Sequence, residues 1–159
     1  MVEQKLSAPV EKVHALLTDP KWLEARSRAM GELSASCKAR RSPTGIAVTM
    51  QRRLHREMNA IIAKVLNPDS DIAIEEHWRQ DGKGYRGTYA LQIVGKPVSA
   101  TADFELMPQG KGCIYRIDHK VKVSVPLIGA VVQKFVLGQV EEGCTDELAY
   151  LTKVLASTK

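Results

Sequence analysis

Disulfide and zinc chemistry have no footing in this sequence. Its cysteines, Cys37, Cys113 and Cys144, are odd in number, widely separated and without CxxC spacing, which excludes a disulfide framework and a structural zinc site. Reduced, mostly buried thiols in a cytoplasmic protein are the expectation. Aromatic residues are scarce, at 5%. The basic segments "KARR" and "RRLHR" therefore lack the interleaved aromatics of a single-strand reader, and nucleic acid is not an expected partner. No apolar run reaches the roughly 18 to 20 residues that span a bilayer. The longest, "VPLIGAVVQKFVLGQV", is interrupted by Gln133 and Lys134. The start, "MVEQKLSAPVEKVHALL", has no basic region followed by a continuous apolar one, so it does not read as a signal peptide.

Standard catalytic devices are also missing. There is no GxSxG, HExxH, P-loop, EF-hand spacing or GxGxxG after a strand. His14, His55, His77 and His119 are scattered without ligand spacing, so neither a metal nor a cofactor is expected. What remains is an ordinary globular composition, 44% hydrophobic and 26% charged over 159 residues, enough for one domain over residues 1–159 with a single core. The excess of five positive charges suits either a solvated surface or the steering of acidic ligands and lipid head groups, which leaves room for transient contact with a membrane surface.

Periodicity supplies the architecture. "VEQKLSA" alternates as a first strand, and "SAPVEKVHALLTDPKWLEARSRAMG" has helical spacing with Ser7 as a possible N-cap. Asp19-Pro20 divides that stretch into two short helices, because proline disfavours helix before it and favours a new first turn. From Leu33 the period becomes two, in "LSASCKAR" and "GIAVTMQRRL" around a "RSPTG" turn. "REMNAIIAKVL", residues 56–66, predicts a further helix. Four more strands follow, joined at Asp81-Gly82, Gly95-Lys96-Pro97 and Gln109-Gly110-Lys111-Gly112, all hairpin chemistry. The prediction is an α+β fold whose antiparallel sheet is covered by one long C-terminal helix.

Alternation puts Ile46, Val48, Met50, Leu54, Ile72, Ile74, Trp78, Tyr85, Gly87, Tyr89, Leu91 and Ile93 on the inner face. Val98, Ala100, Ala102, Phe104, Leu106, Cys113, Tyr115, Ile117, Val121, Val123 and Val125 continue it. Three polar residues break this face, namely Arg52, Glu76 and His119. Either they hydrate a cavity, hold a ligand's polar end or do acid–base work, or a bulge or strand end turns them to water. The small Gly87, Ala100 and Ala102 leave space on the same face, unless bulky helix residues fill it.

On a helical wheel, Ile128, Val131, Val132 and Phe135 lie roughly opposite Val140, Cys144, Leu148, Leu151 and Leu155. One straight helix cannot bury both stripes against one sheet, so a break is expected between Leu137 and Gly143, at Gly138 or Gly143, with the first half as a loosely held lid.

"SAPVEKVHALLTDPKWL", "EEHW", "GKPVSATADFEL" and above all "VKVSVPLIGAVVQKFV" resemble the START-like, or Bet v 1-like, helix-grip superfamily, within it a bacterial polyketide-cyclase/START-like branch of unknown function. The resemblance covers nearly the whole chain. It implies a seven-stranded antiparallel sheet gripping the terminal helix around a hydrophobic cavity, but catalytic residues differ between branches and none carries over. The expected function is binding or transport of a hydrophobic small molecule, lipid, sterol or polyketide-like. The ligand-binding residues would be Met50, Arg52, Glu76, Trp78, Tyr89, Leu91, Ala102, Phe104, Tyr115, Ile117 and His119, with Val131 and Phe135 from the helix. The alternatives are a cyclase or dehydratase with Glu76 and His119 as acid and base and Arg52 stabilising negative charge, or an interaction module using the exposed side of the helix.

Overall fold

The structure is a computed structural model and describes residues 1–157. Strand β1 (Val2–Leu6) is followed by helices α1 (Val10–Leu17) and α2 (Pro20–Ala29). Strands β2 (Ser34–Ser42) and β3 (Gly45–His55) come next, then a short helix α3 (Ala60–Ala63). Strands β4 (Asp69–Asp81), β5 (Gly84–Ile93), β6 (Val98–Gln109) and β7 (Gly112–Val123) lead to the long helix α4 (Gly129–Ser157). The sheet has the order β1-β7-β6-β5-β4-β3-β2, every pair antiparallel. From β2 to β7 each strand pairs with the next in sequence. β1 and β2 are opposite edges, so the α1–α2 connection has to cross the width of the sheet. This is the helix-grip architecture, with α4 against the concave inner face.

Local chemistry explains most element boundaries. Asp19 caps α2 by accepting the Lys21 N–H, with Pro20 in the first turn. The hairpin turns place Gly82, Gly95 and Gly110 at positive φ, where a Cβ is disfavoured. α1 starts later than Ser7 suggests, with Pro9 at its cap and no side-chain capping bond. The helix expected over residues 56–66 shrinks to four residues because Asn59 caps it from within, its side chain accepting the Ile62 N–H. Such a cap fixes an extended backbone just before the helix, so the residues ahead of it cannot be helical.

The inner-face assignment holds through an uninterrupted register, except that Val125 lies beyond the end of β7. One row across the sheet reads Val48, Glu76, Tyr89, Ala102, His119, and the next toward the hairpin tips reads Ile46, Trp78, Gly87, Phe104, Ile117. No bulge turns Arg52, Glu76 or His119 outward. The space at Gly87 is not free, however. A Cβ there would lie 2.2 Å from the His77 carbonyl oxygen and 2.5 Å from the Phe104 ring, so the sheet's own aromatic fills it.

The expected break in α4 does not occur; the helix runs unbroken through Gly138 and Gly143. Its buried residues are Val132, Val136, Cys144, Leu148, Leu151 and Leu155. Steps of four residues advance about 40° around a helix, so this stripe winds around α4 rather than splitting into two opposed faces. A flat sheet could not bury a winding stripe; a sheet curved around the helix can. Val131, expected to face the cavity, is 53% exposed because the winding stripe passes through Val132 instead.

With no hinge to protect, Gly138 is an ordinary helix-interior glycine, and a Cβ added to it would meet nothing within 4 Å. Gly138→Ala is expected to stabilise the protein by about 0.5–1 kcal/mol, measured by urea unfolding; a loss of stability would restore the hinge.

Candidate functional site

Between the inner face and α4 lies a cavity of about 160 Å³. Its floor is apolar: Met50 from β3, Ile74 and Trp78 from β4, Tyr89 and Leu91 from β5, Phe104, Tyr115 and Ile117 from β6 and β7. α4 closes it with Phe135, Val136, Val140, Cys144 and Leu148, and α1 and α2 contribute Leu17 and Leu23. The half-buried Arg56, Met58, Ser70 and Gln139 line its outer part, between the α3 segment and α4. Of eight Phe, Tyr and Trp residues, five border this space, so the few aromatics are gathered where they matter. Trp78 sits at their centre, 4.4 Å from the Phe104 ring and 6.1 Å from Tyr115. On its other side is His14, edge-on at 5.3 Å and itself stacked on Tyr85. Burial, with Arg41 nearby, lowers the His14 pKa to about 4, so this imidazole packs as a neutral ring.

Beyond Arg56, Ser70 and Gln139 at the outer part, the polar groups are a closed network and two further side chains, Glu76 and His119. Arg52 donates from Nε to Glu32 Oε1 at 2.9 Å, from a terminal nitrogen to the other Glu32 oxygen, and to Glu147 Oε1 at 3.0 Å. Arg26 of α2 completes the network, its guanidinium 3.6 Å from Glu147 Oε2 and stacked over Trp22. Burial opposes each charge. Even so, Glu147 and Glu32 together raise the Arg52 pKa, and Arg26 and Arg52 hold the Glu147 carboxyl below its ordinary range. Two cations face two anions, so the network is neutral as a whole.

Glu76 stands outside that balance. Its partner is the Trp78 indole, whose N–H donates to Oε1 at 3.0 Å. Burial raises its pKa, more than the indole and the two guanidiniums lower it. His119 meets Tyr89 edge-on at 5.6 Å, and its buried Nδ1 has no hydrogen-bond partner among the described residues. Burial lowers its pKa as well, with Glu141 and Glu147 opposing. Burial thus shifts both side chains toward their uncharged forms. They share a row but are three strands apart, roughly 14 Å between backbones, too far for direct proton exchange.

Of the site residues expected from sequence, Met50, Arg52, Glu76, Trp78, Tyr89, Leu91, Phe104, Tyr115, Ile117, His119 and Phe135 line the cavity. Ala102 is buried on the same face without bordering it, and Val131 faces solvent. The residues overlooked are Arg26, Glu32 and Glu147. A signal for two of them existed: Glu147 lies three residues after Cys144 and four before Leu151, on the buried stripe, and Arg26 is three residues after the buried Leu23. A charge on an apolar helical face announces a partner.

Two outcomes follow for stability. Arg52→Met leaves the buried Glu32 without its partner and is expected to cost about 3–5 kcal/mol, read from urea unfolding. Glu76 has its folded pKa raised above the ordinary value of 4.5, so the folded state binds the extra proton and stability falls as pH rises from there through the raised pKa. Glu76→Gln removes that slope. Thermal unfolding across this range should show the variant gaining on the wild type with increasing pH, and a constant difference would contradict it.

The comparisons agree with this geometry at the level of the fold. No curated protein matches the chain. A Thermus thermophilus protein, TTHA0849, superposes with a TM-score of 0.71 at 16% identity, covering 99% of this chain and 97% of the other. Ms6760 of Mycobacterium smegmatis gives 0.60 at 14% identity, over 99% and 90%. A conserved protein of Geobacillus kaustophilus gives 0.58 at 18%, over 98% and 93%. The family described as "Protein of unknown function (DUF2505)" matches residues 1–155, and the chain belongs to that family.

Proposed function

We propose that the protein binds an apolar small molecule with one polar end, a lipid, sterol or polyketide-like compound, between the inner face of the sheet and α4. The observation that carries this reading is the cavity itself. Its walls are largely aliphatic and aromatic, and two hydrogen-bonding groups, Glu76 and His119, which burial shifts toward their uncharged forms, project from the sheet face that borders it. Ligand sites combine apolar walls with a few placed polar groups in this way. The likeness to the START-like superfamily supports the same reading, since members hold hydrophobic compounds at this place in the fold.

Size bears on the ligand. A dry cavity of about 150 Å³ accommodates benzene, whereas sites for drug-sized molecules occupy about 300–1,000 Å³. At about 160 Å³, the space takes a single ring as it stands, and a longer molecule requires the α3 segment to move from α4. That segment is held by two buried side chains, Ile62 in the four-residue helix and Leu66 just after it. Carriage is favoured over acid–base catalysis because Glu76 and His119 stand three strands apart on the sheet, roughly 14 Å between backbones.

Binding is tested with N-phenyl-1-naphthylamine, a neutral apolar fluorophore, and by organic extraction and native mass spectrometry of the purified protein. Saturable binding at one site is expected, weakened at least tenfold by Ile74→Trp, which fills the cavity, while unfolding stays cooperative. Absence of both a co-purified compound and saturable probe binding would overturn the reading.

A further inference from the structure

Exposed large hydrophobic side chains are unevenly distributed over the surface. Among the described residues they are Met1, Leu33, Ile61, Val94, Leu127 and Val131. All but Met1 belong to one end of the sheet, where β3, β5 and β7 finish and β4 and β6 begin. The ladder establishes this: Leu54 is opposite Ser70, Ile72 opposite Ile93 and Val98 opposite Val123. Val94 is in the β5–β6 turn and donates its N–H to Asp71, and the Ser124 N–H, leading into the Leu127 loop, reaches Pro97 of the same turn. α3, which carries Ile61, packs on α4, whose first turns carry Val131. The opposite end is made of the turns "SPTG", "DGKG" and "QGKG", residues 42–45, 81–84 and 109–112, with no large apolar side chain.

Leu127 is the most telling of these residues. It is fully exposed, at 103%, and has φ 67°. A leucine with a left-handed backbone is uncommon, and nothing in the folded protein buries its side chain in return. Neighbouring charge has one sign to spare. Asp71 pairs with Arg53, while Asp69 and Glu57 share one imidazole, His55, which carries charge only when protonated. Lys64, Lys96, Lys122 and Lys134 have no ion pair among the described residues. Apolar tips ringed by uncommitted lysines complement a negatively charged interface with an oily interior. The cavity's outer rim, at Arg56, Met58 and Ser70, is at this same end.

From this juxtaposition we propose that the Ile61, Val94, Leu127 and Val131 end is a docking surface for an anionic lipid bilayer, with Leu127 entering the bilayer. Four apolar tips and four lysines provide a weak, reversible attachment rather than an anchor. Docking in this orientation turns the cavity rim toward the lipid.

Cosedimentation of the full chain with vesicles tests it. Binding is expected to vesicles of equal parts phosphatidylcholine and phosphatidylglycerol, falling with added salt, and to be far weaker with phosphatidylcholine alone. Leu127→Asn with Val131→Gln should reduce partitioning at least tenfold; asparagine tolerates the left-handed backbone and glutamine the helix, so folding is kept. Lys96→Gln with Lys134→Gln should lower it by about tenfold or more, whereas Lys83→Gln with Lys111→Gln, the same charge change on opposite hairpins, should leave it intact. No vesicle binding by the wild type, equal loss from the opposite-end pair, or a concentration-dependent dimer that Leu127→Asn abolishes in place of vesicle binding would each overturn the proposal. N-phenyl-1-naphthylamine binding without vesicles should persist in all these variants, so failure of docking is distinguishable from failure of the cavity reading.

Discussion

One carboxylate on α4 ties the structure together. Glu147 binds Arg52 of β3 on one side and faces Arg26 of α2 on the other, while Arg52 reaches back to Glu32 between α2 and β2. Apolar burial brings α4 to the sheet, but apolar contacts tolerate sliding and rotation. A buried charge with two fixed partners does not, because any displacement leaves a guanidinium or a carboxylate unpaired in a desolvated place. The network therefore selects one rotation of α4 among several that would bury similar area. The cavity inherits its shape from that choice, since Val136, Val140, Cys144 and Leu148 border it only in this rotation.

The same network sets the electrostatics of the site. Burial pushes the Glu76 pKa up, against the Trp78 indole N–H and the Arg26 and Arg52 guanidiniums, which favour its ionised form. Burial shifts His119 toward its neutral form from the other direction, by disfavouring imidazolium. The Arg26 and Arg52 guanidiniums are already engaged, which leaves Arg56 at the outer rim as the cavity's remaining guanidinium.

The cavity rim and the apolar exterior tips belong to one end of the molecule, and their separation from the charged network is physical rather than accidental. The α3 segment and the Leu127 loop are short connections with few buried residues, the kind of structure that opens at low cost. The charged clasp holds α4 and α2 to the sheet further along, so a movement that widens the rim need not disturb it.

Alternation alone was enough to identify the inner faces of β3 to β7, because a period of two leaves only two choices and hydrophobicity selects between them. It also brought Arg52, Glu76 and His119 inward. Local chemistry marked the hairpin turns and the Asp19-Pro20 division of the two helices. What it misjudged shares one cause. The length of α3 and the continuity of α4 depend on neighbours: Asn59 caps where a periodic pattern continues, and a curved sheet buries a winding stripe that a wheel drawn for a flat partner splits in two. Gly87 looked like vacant space because Phe104, its cross-strand neighbour, lies 17 residues away in the chain. Sequence by itself determined most of the elements and the faces of the strands, which follow from short-range periodicity and turn chemistry. Only the tertiary structure decided which space stays empty, which charges are matched and which apolar residues remain outside, because each depends on what curvature and packing bring together from distant parts of the chain.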